Sequence, residues 1–158
     1  MKNRLRQLIE LSPLQWRILL VSIFLLPLIA LSLEIYSFKQ TKKKMSQFIP
    51  SGIDENTPNE QDLVNVKSIS RAVAIAGNHG IYRTNCLKQS LLLWWFLARR
   101  GVSTEIKYGI EDEPVETFSA HAWVEYDGVN ISNPEETVQR FSGFSMGRAG
   151  NTKFHIEI

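Results

Sequence analysis

The hydrophobic period of this chain changes at one residue, Gly101, and that change restricts the fold more than any other feature of the sequence. Before it, CLKQSLLLWWFLARR is built of good helix formers. Its apolar positions (Leu87, Leu91, Trp94, Trp95 and Leu97, with Ser90 among them) nearly encircle a helix. A helix apolar on most sides must be buried, so this one is expected at the centre of the fold. Thr84 or Asn85 is available as its N-cap, Arg99 and Arg100 suit its last turn, and Gly101 suits the left-handed position that closes helices. Beyond Gly101 the apolar residues alternate. Val102, Thr104, Ile106 and Tyr108 read as one strand, and Ala120, Ala122, Val124 and Tyr126 as a second. Asp127-Gly128 is a tight-turn signal, after which Val129 to Ser132 returns as a third strand. Upstream, Leu63, Val66, Ile69, Ser70, Val73 and Ala74 recur at spacings of three and four. This pattern predicts an amphipathic helix ending at Gly77, with Asp62 or Asn59 as its cap. Helices followed by antiparallel strands define an α+β domain, with helices packed on a small antiparallel sheet.

A length of 158 residues allows one domain with a real core and is too short for two of ordinary size. A single cysteine excludes an internal disulfide and leaves a thiol for chemistry, which reads as cytoplasmic. The net charge of +2 conceals an asymmetry: residues 1–44 hold eight Lys or Arg against Glu10 and Glu34, a local charge of +6, which leaves −4 on the remainder. A mildly acidic body disfavours nucleic acid as a partner. The basic residues flank Ile18 to Leu33, a stretch of 16 residues without a charge. That is short of the roughly 20 a spanning helix needs, although Trp16 and Tyr36 extend it as interfacial aromatics. Three readings stand: a helix docked on the domain, an anchor in or on a membrane surface through residues 16–44, and a cleaved signal. Pro27 is expected to kink the helix in each case. Residues 48–62, rich in Ser, Gly, Pro, Asn and acids, read as a linker between an N-terminal helical segment (1–47) and a globular domain (63–158).

The chemistry rests on Cys86 and His121. A cysteine in the first turn of the central helix meets unpaired backbone amides and the positive end of the helix dipole, both of which favour a thiolate. His121 lies on a strand between Ala120 and Ala122, small neighbours that let an imidazole approach a partner and move its proton near neutral pH. A third residue is needed to fix the imidazole's tautomer. Asn133 lies where the strand returning from the Asp127-Gly128 turn ends, with Asn130 and Asp127 also near in sequence. His79 and His155 read as loop and tail residues, Arg83 as an exposed residue before the helix, and Trp123 as packing. One cysteine and three dispersed histidines have no zinc-ligand spacing, and no cofactor is expected. The tail after Phe141 ends in a strand-like run of four residues.

From Ile81 to about Pro134 the order is Cys-Leu, a leucine-rich helix ending Arg-Arg-Gly, a strand Glu-Ile-Lys-Tyr-Gly-Ile, then Ala-His-Ala-Trp-Val-Glu before Asp-Gly and Asn. This series resembles the transglutaminase-like leader peptidases of lasso-peptide biosynthesis. The resemblance implies a papain-like cysteine protease fold and removal of the leader from a ribosomally made precursor, so that an ATP-dependent synthetase can close the macrolactam ring. It implies Cys86 as nucleophile, His121 as base, and Asn133 at a position where the family often carries aspartate. It also implies a separate leader-recognition protein as partner, since the chain has no length to spare for such a domain. Two other functions are compatible with the residues: a non-catalytic scaffold presenting the precursor to maturation partners, and acyl transfer to an amine instead of water.

Overall fold

The structure, a computed structural model, describes residues 11–50, 60–79, 84–111, 120–132 and 141–144. Helix α1 (Pro13–Ile35) starts in a capping box: the Ser12 hydroxyl accepts from the Gln15 backbone N–H at 3.3 Å, and the Gln15 side-chain oxygen accepts from the Ser12 N–H at 2.9 Å. This cap carries the helix well beyond the uncharged stretch, to 23 residues. It runs unbroken through Pro27, which lies on the exposed side, where the carbonyl its missing N–H leaves free can meet water. The next helix, α2 (Phe38–Ser46), repeats the box with Ser37 and Gln40. The basic run had concealed this helix, although its Ser-x-x-Gln start was readable in the sequence.

One face of α1 is docked. Ile18, Leu19, Leu26 and Ile29 share a core with Val66, Ile69, Ala72 and Val73 of α3 (Glu60–His79) and with Leu91, Leu92 and Leu97 of α4 (Cys86–Ala98). Residues on both sides of the expected linker therefore pack into one core. Docking describes this face only, because Leu20, Phe24, Leu28, Leu31 and Ile35 remain exposed along the other side.

Helix α3 differs from expectation at both ends. It begins at Glu60, inside the stretch read as linker, and Asp62 lies within the helix, not at its cap; Asn59 is outside the described residues. It also continues past Gly77 to His79. The glycine serves close approach instead of termination, because a Cβ there would lie 2.5 Å from the Gln89 side chain of α4. Gln89 in turn donates to Asn78 Oδ1 (3.3 Å) and to the Thr84 carbonyl (3.1 Å), and the Thr84 N–H bonds the Gly77 carbonyl (3.1 Å). These bonds tie the end of α3 to the residues leading into α4.

Helix α4 occupies the central position its composition predicts, with Leu91, Leu92 and Leu97 fully buried. It closes as a Schellman motif at Gly101 (φ +79°), where the Gly101 N–H bonds the Ala98 carbonyl and the Val102 N–H bonds that of Leu97. Val102 is thereby spent on closing the helix. Strand β1 accordingly runs Glu105–Glu111 instead of starting at residue 102. Strand β2 (Ala120–Tyr126) lies antiparallel to it, with Gly109 opposite His121 and Ile106 opposite Val124. Asp127 and Gly128 both take positive φ (49° and 74°), as a two-residue I′ hairpin requires. Strand β3 is only Val129–Asn130, because at Ser132 a side-chain oxygen, not the backbone, accepts the Val124 N–H (2.8 Å). A fourth strand, β4 (Phe141–Phe144), pairs with β1 and completes the order β3-β2-β1-β4. The motif Phe-Ser-Gly-Phe is too short to have announced a strand in the sequence.

Candidate active site

Cys86 is the first residue of α4, preceded by Asn85 as N-cap. The Asn85 side-chain oxygen accepts from the Lys88 N–H at 3.2 Å, so Asn85 is the cap and Thr84 is not. This bond takes one of the backbone donors that a helix start leaves without intrahelical partners; the Cys86 N–H is another donor of that kind. The thiol is free and partly exposed at the amino end of a helix whose middle, Ser90 to Leu93, is buried. A nucleophile needs this combination of a rigid base and a reachable tip.

His121 is the second residue of β2 and is half-buried. Its cross-strand partner is the buried Gly109, which sets no side chain against the imidazole. The ring stacks on Trp123, with centroids 6.4 Å apart and planes 20° apart. Trp123 is itself buried and donates to Glu125 Oε1 (2.8 Å), so it packs as expected. Partial loss of water around His121 disfavours the imidazolium and lowers its pKa from the ordinary 6.5. The folded chain thus binds fewer protons at this site than the unfolded chain does. Its contribution to stability is fully present above pH 6.5 and is lost as pH falls through the folded pKa. At neutral pH the ring is neutral, the form a general base requires.

Ser90 joins the two elements. One helical turn beyond Cys86, its buried hydroxyl donates to the carbonyl of Ala122, the residue after His121, at 3.1 Å. The bond thus fixes α4, one turn along from Cys86, against the His121 end of β2. In the sequence Ser90 falls among the apolar positions of the helix; the signal it offers is a lone hydroxyl in a leucine run, one turn from the cysteine. Replacing it with alanine removes a buried hydrogen bond, and Ser90→Ala is expected to lower the unfolding free energy by about 1 kcal/mol in a urea titration.

Two of the three candidates for the third member are placed far from the imidazole. Asp127 lies six residues along from His121, roughly 20 Å at the rise of an extended strand. Asn130 pairs with Glu125, four residues from His121, and its side-chain oxygen accepts the Ser132 N–H at 3.0 Å. Both therefore belong to the hairpin end of β2. Asn133 lies outside the described residues, as do Arg83, His155 and the tail beyond residue 144. Ser132, the residue before Asn133, accepts the Val124 N–H of β2. His79 ends α3. Among the described residues, no three His, Cys, Asp or Glu side chains are grouped to hold a metal ion.

The structure thus sets a thiol at a helix start and an imidazole on a strand, on two elements joined by a serine hydrogen bond, in an α+β scaffold. Residues 38–145 match the Transglutaminase-like superfamily, and the chain belongs to it. The match begins at the first residue of α2 and includes Cys86, His121 and Asn133, leaving α1 outside it. The superfamily includes cysteine peptidases and acyltransferases. No curated protein and no solved structure matches the chain.

Proposed function

We propose that this protein is a cysteine peptidase that removes the leader from a ribosomally made lasso-peptide precursor. The observation that carries the reading is the position of the chain's only cysteine: it opens the central helix, which one turn further on is bonded to the strand of His121. The residue series from Ile81 to Pro134 supplies the choice of substrate.

In this mechanism His121 takes the thiol proton, and the Cys86 sulfur adds to the carbonyl carbon at the junction of leader and core. The oxyanion is held by backbone N–H groups at the start of α4, that of Cys86 among them. The C–N bond then breaks as the imidazolium gives its proton to the leaving amine of the core. His121 next deprotonates a water molecule, which hydrolyses the thioester and returns the thiol. Asn133 is the residue proposed to accept a hydrogen bond from the imidazole. Its neutral amide orients the ring but stabilises the imidazolium less than an aspartate does. A separate leader-recognition protein delivers the precursor, and an ATP-dependent macrolactam synthetase consumes the freed core.

The test is the mass of the products after incubation with a synthetic precursor, with and without a primary amine. Hydrolysis yields free leader acid and a core with a new amino terminus. A leader carrying the added amine instead identifies an acyltransferase using the same thioester. Because burial keeps His121 neutral into mildly acidic solution, the acid limb of the kcat/KM profile is expected below pH 6.5. A limb above that value contradicts the assignment of His121 as the base.

A further inference from the structure

Helix α1 has a second face that the fold does not use. Leu20, Phe24, Leu28, Leu31 and Ile35 recur at spacings of four and three and form one stripe on the side opposite the docked residues. Phe24 is 71% exposed, Leu28 60% and Ile35 63%. A continuous row of large apolar side chains on the surface signals an interaction site, whereas single exposed ones do not. Two further features surround the row. At its α2 end a hollow of about 200 Å³ opens between the helices, lined by Leu25, Leu28, Met45, Phe48 and Trp95, with Lys44 among its walls. The Lys44 ammonium lies 3.2 Å from the Tyr36 ring centroid, and Lys39 and Lys43 are exposed on the same short helix.

We infer that this face docks on the surface of an anionic lipid bilayer, with the stripe at the acyl boundary and Lys39, Lys43 and Lys44 among the headgroups. Charge complementarity selects this occupant. Residues 1–44 carry +6 while the rest of the chain carries −4, and among the described residues Arg17, Lys39, Lys43 and Lys44 are exposed on α1 and α2, the helices that bear and adjoin the apolar face. Aromatic residues also mark the two ends, with Trp16 40% and Tyr36 38% exposed, as at membrane interfaces. Mean hydropathy along the helix reaches 2.6, and by length and composition alone it qualifies as a spanning segment. Its other face decides against spanning. Ile18, Leu19, Leu26 and Ile29 are covered by α3 and α4, and α3 exposes Lys67 and Arg71, which a spanning α1 would drag into hydrocarbon. The helix therefore lies in the plane of the interface. The hollow beside Leu28 offers apolar walls to part of an acyl chain and a lysine to its headgroup.

Co-sedimentation of the full chain tests the inference, using vesicles of phosphatidylcholine alone and of an equimolar mixture with phosphatidylglycerol. The wild-type chain is expected to pellet with the mixed vesicles and much less with the neutral ones, with binding that weakens as salt is raised. Phe24→Glu combined with Leu28→Glu should stay in the supernatant with an unchanged melting curve, since both side chains are already exposed. Lys39→Glu combined with Lys43→Glu should weaken binding to the mixed vesicles by roughly tenfold or more. Three results overturn the inference: a wild-type chain that stays in solution with both vesicles, a Phe24/Leu28 variant that pellets like wild type, and a dimer that the same variant dissolves while lipid is ignored. The last would assign the face to a second copy of the chain. Vesicle binding involves no precursor, so its failure leaves the peptidase reading standing.

Discussion

Cys86→Ala is expected to yield a folded chain that does not cleave a precursor. The side chain is partly exposed, and the N-cap bond from the Lys88 N–H to Asn85, the Ser90 bond to Ala122 and the leucine core of α4 do not involve the sulfur. Stability should therefore change little. Turnover should drop on the order of a millionfold, the scale seen when a covalent nucleophile is deleted, which places it below detection. Circular dichroism and a precursor digestion followed by mass spectrometry check the two halves. A folded variant that cleaves at the normal rate contradicts the assignment of the thiol.

His121→Ala carries the second large effect. It removes the base that activates the thiol and the acid that releases the amine, so a loss on the order of 10⁴-fold or more is expected in kcat/KM. The loss should fall mainly on kcat, because the imidazole acts on reacting atoms. The substitution leaves a gap the size of the lost ring, opposite a glycine, so added imidazole is expected to restore part of the rate. Retained activity without imidazole would move the base elsewhere. His79 and His155 would then be the first alternatives to substitute.

Much of this arrangement could be read in the sequence wherever one rule dominated. The apolar circumference of residues 86–98 and the closing glycine at 101 specify the central helix, because no polar stripe is left to face water. The alternation from Ala120 to Tyr126 and the Asp-Gly pair specify β2 and its hairpin. Competition between rules hid the rest. Gly77 reads as a helix stop, but tertiary contact with Gln89 uses the glycine for space and the helix continues. Val102 alternates correctly for a strand, but its N–H is committed to the end of α4. Lysines disguised α2, whose capping box was the better guide. Cys86 and His121 were legible as types in their settings, whereas Ser90 was not, since only the packed structure brings its hydroxyl to the Ala122 carbonyl.

In the proposed mechanism Cys86 and His121 act as one nucleophile-and-base pair. Because the chain has a single cysteine, iodoacetamide labelling read by intact mass reports on that thiol alone. The rate in the wild-type chain should exceed that of a free cysteine at neutral pH and fall toward it in His121→Ala. A thiol that reacts no faster than free cysteine and ignores the loss of His121 would contradict the pair, leaving the fold as a scaffold that presents the precursor.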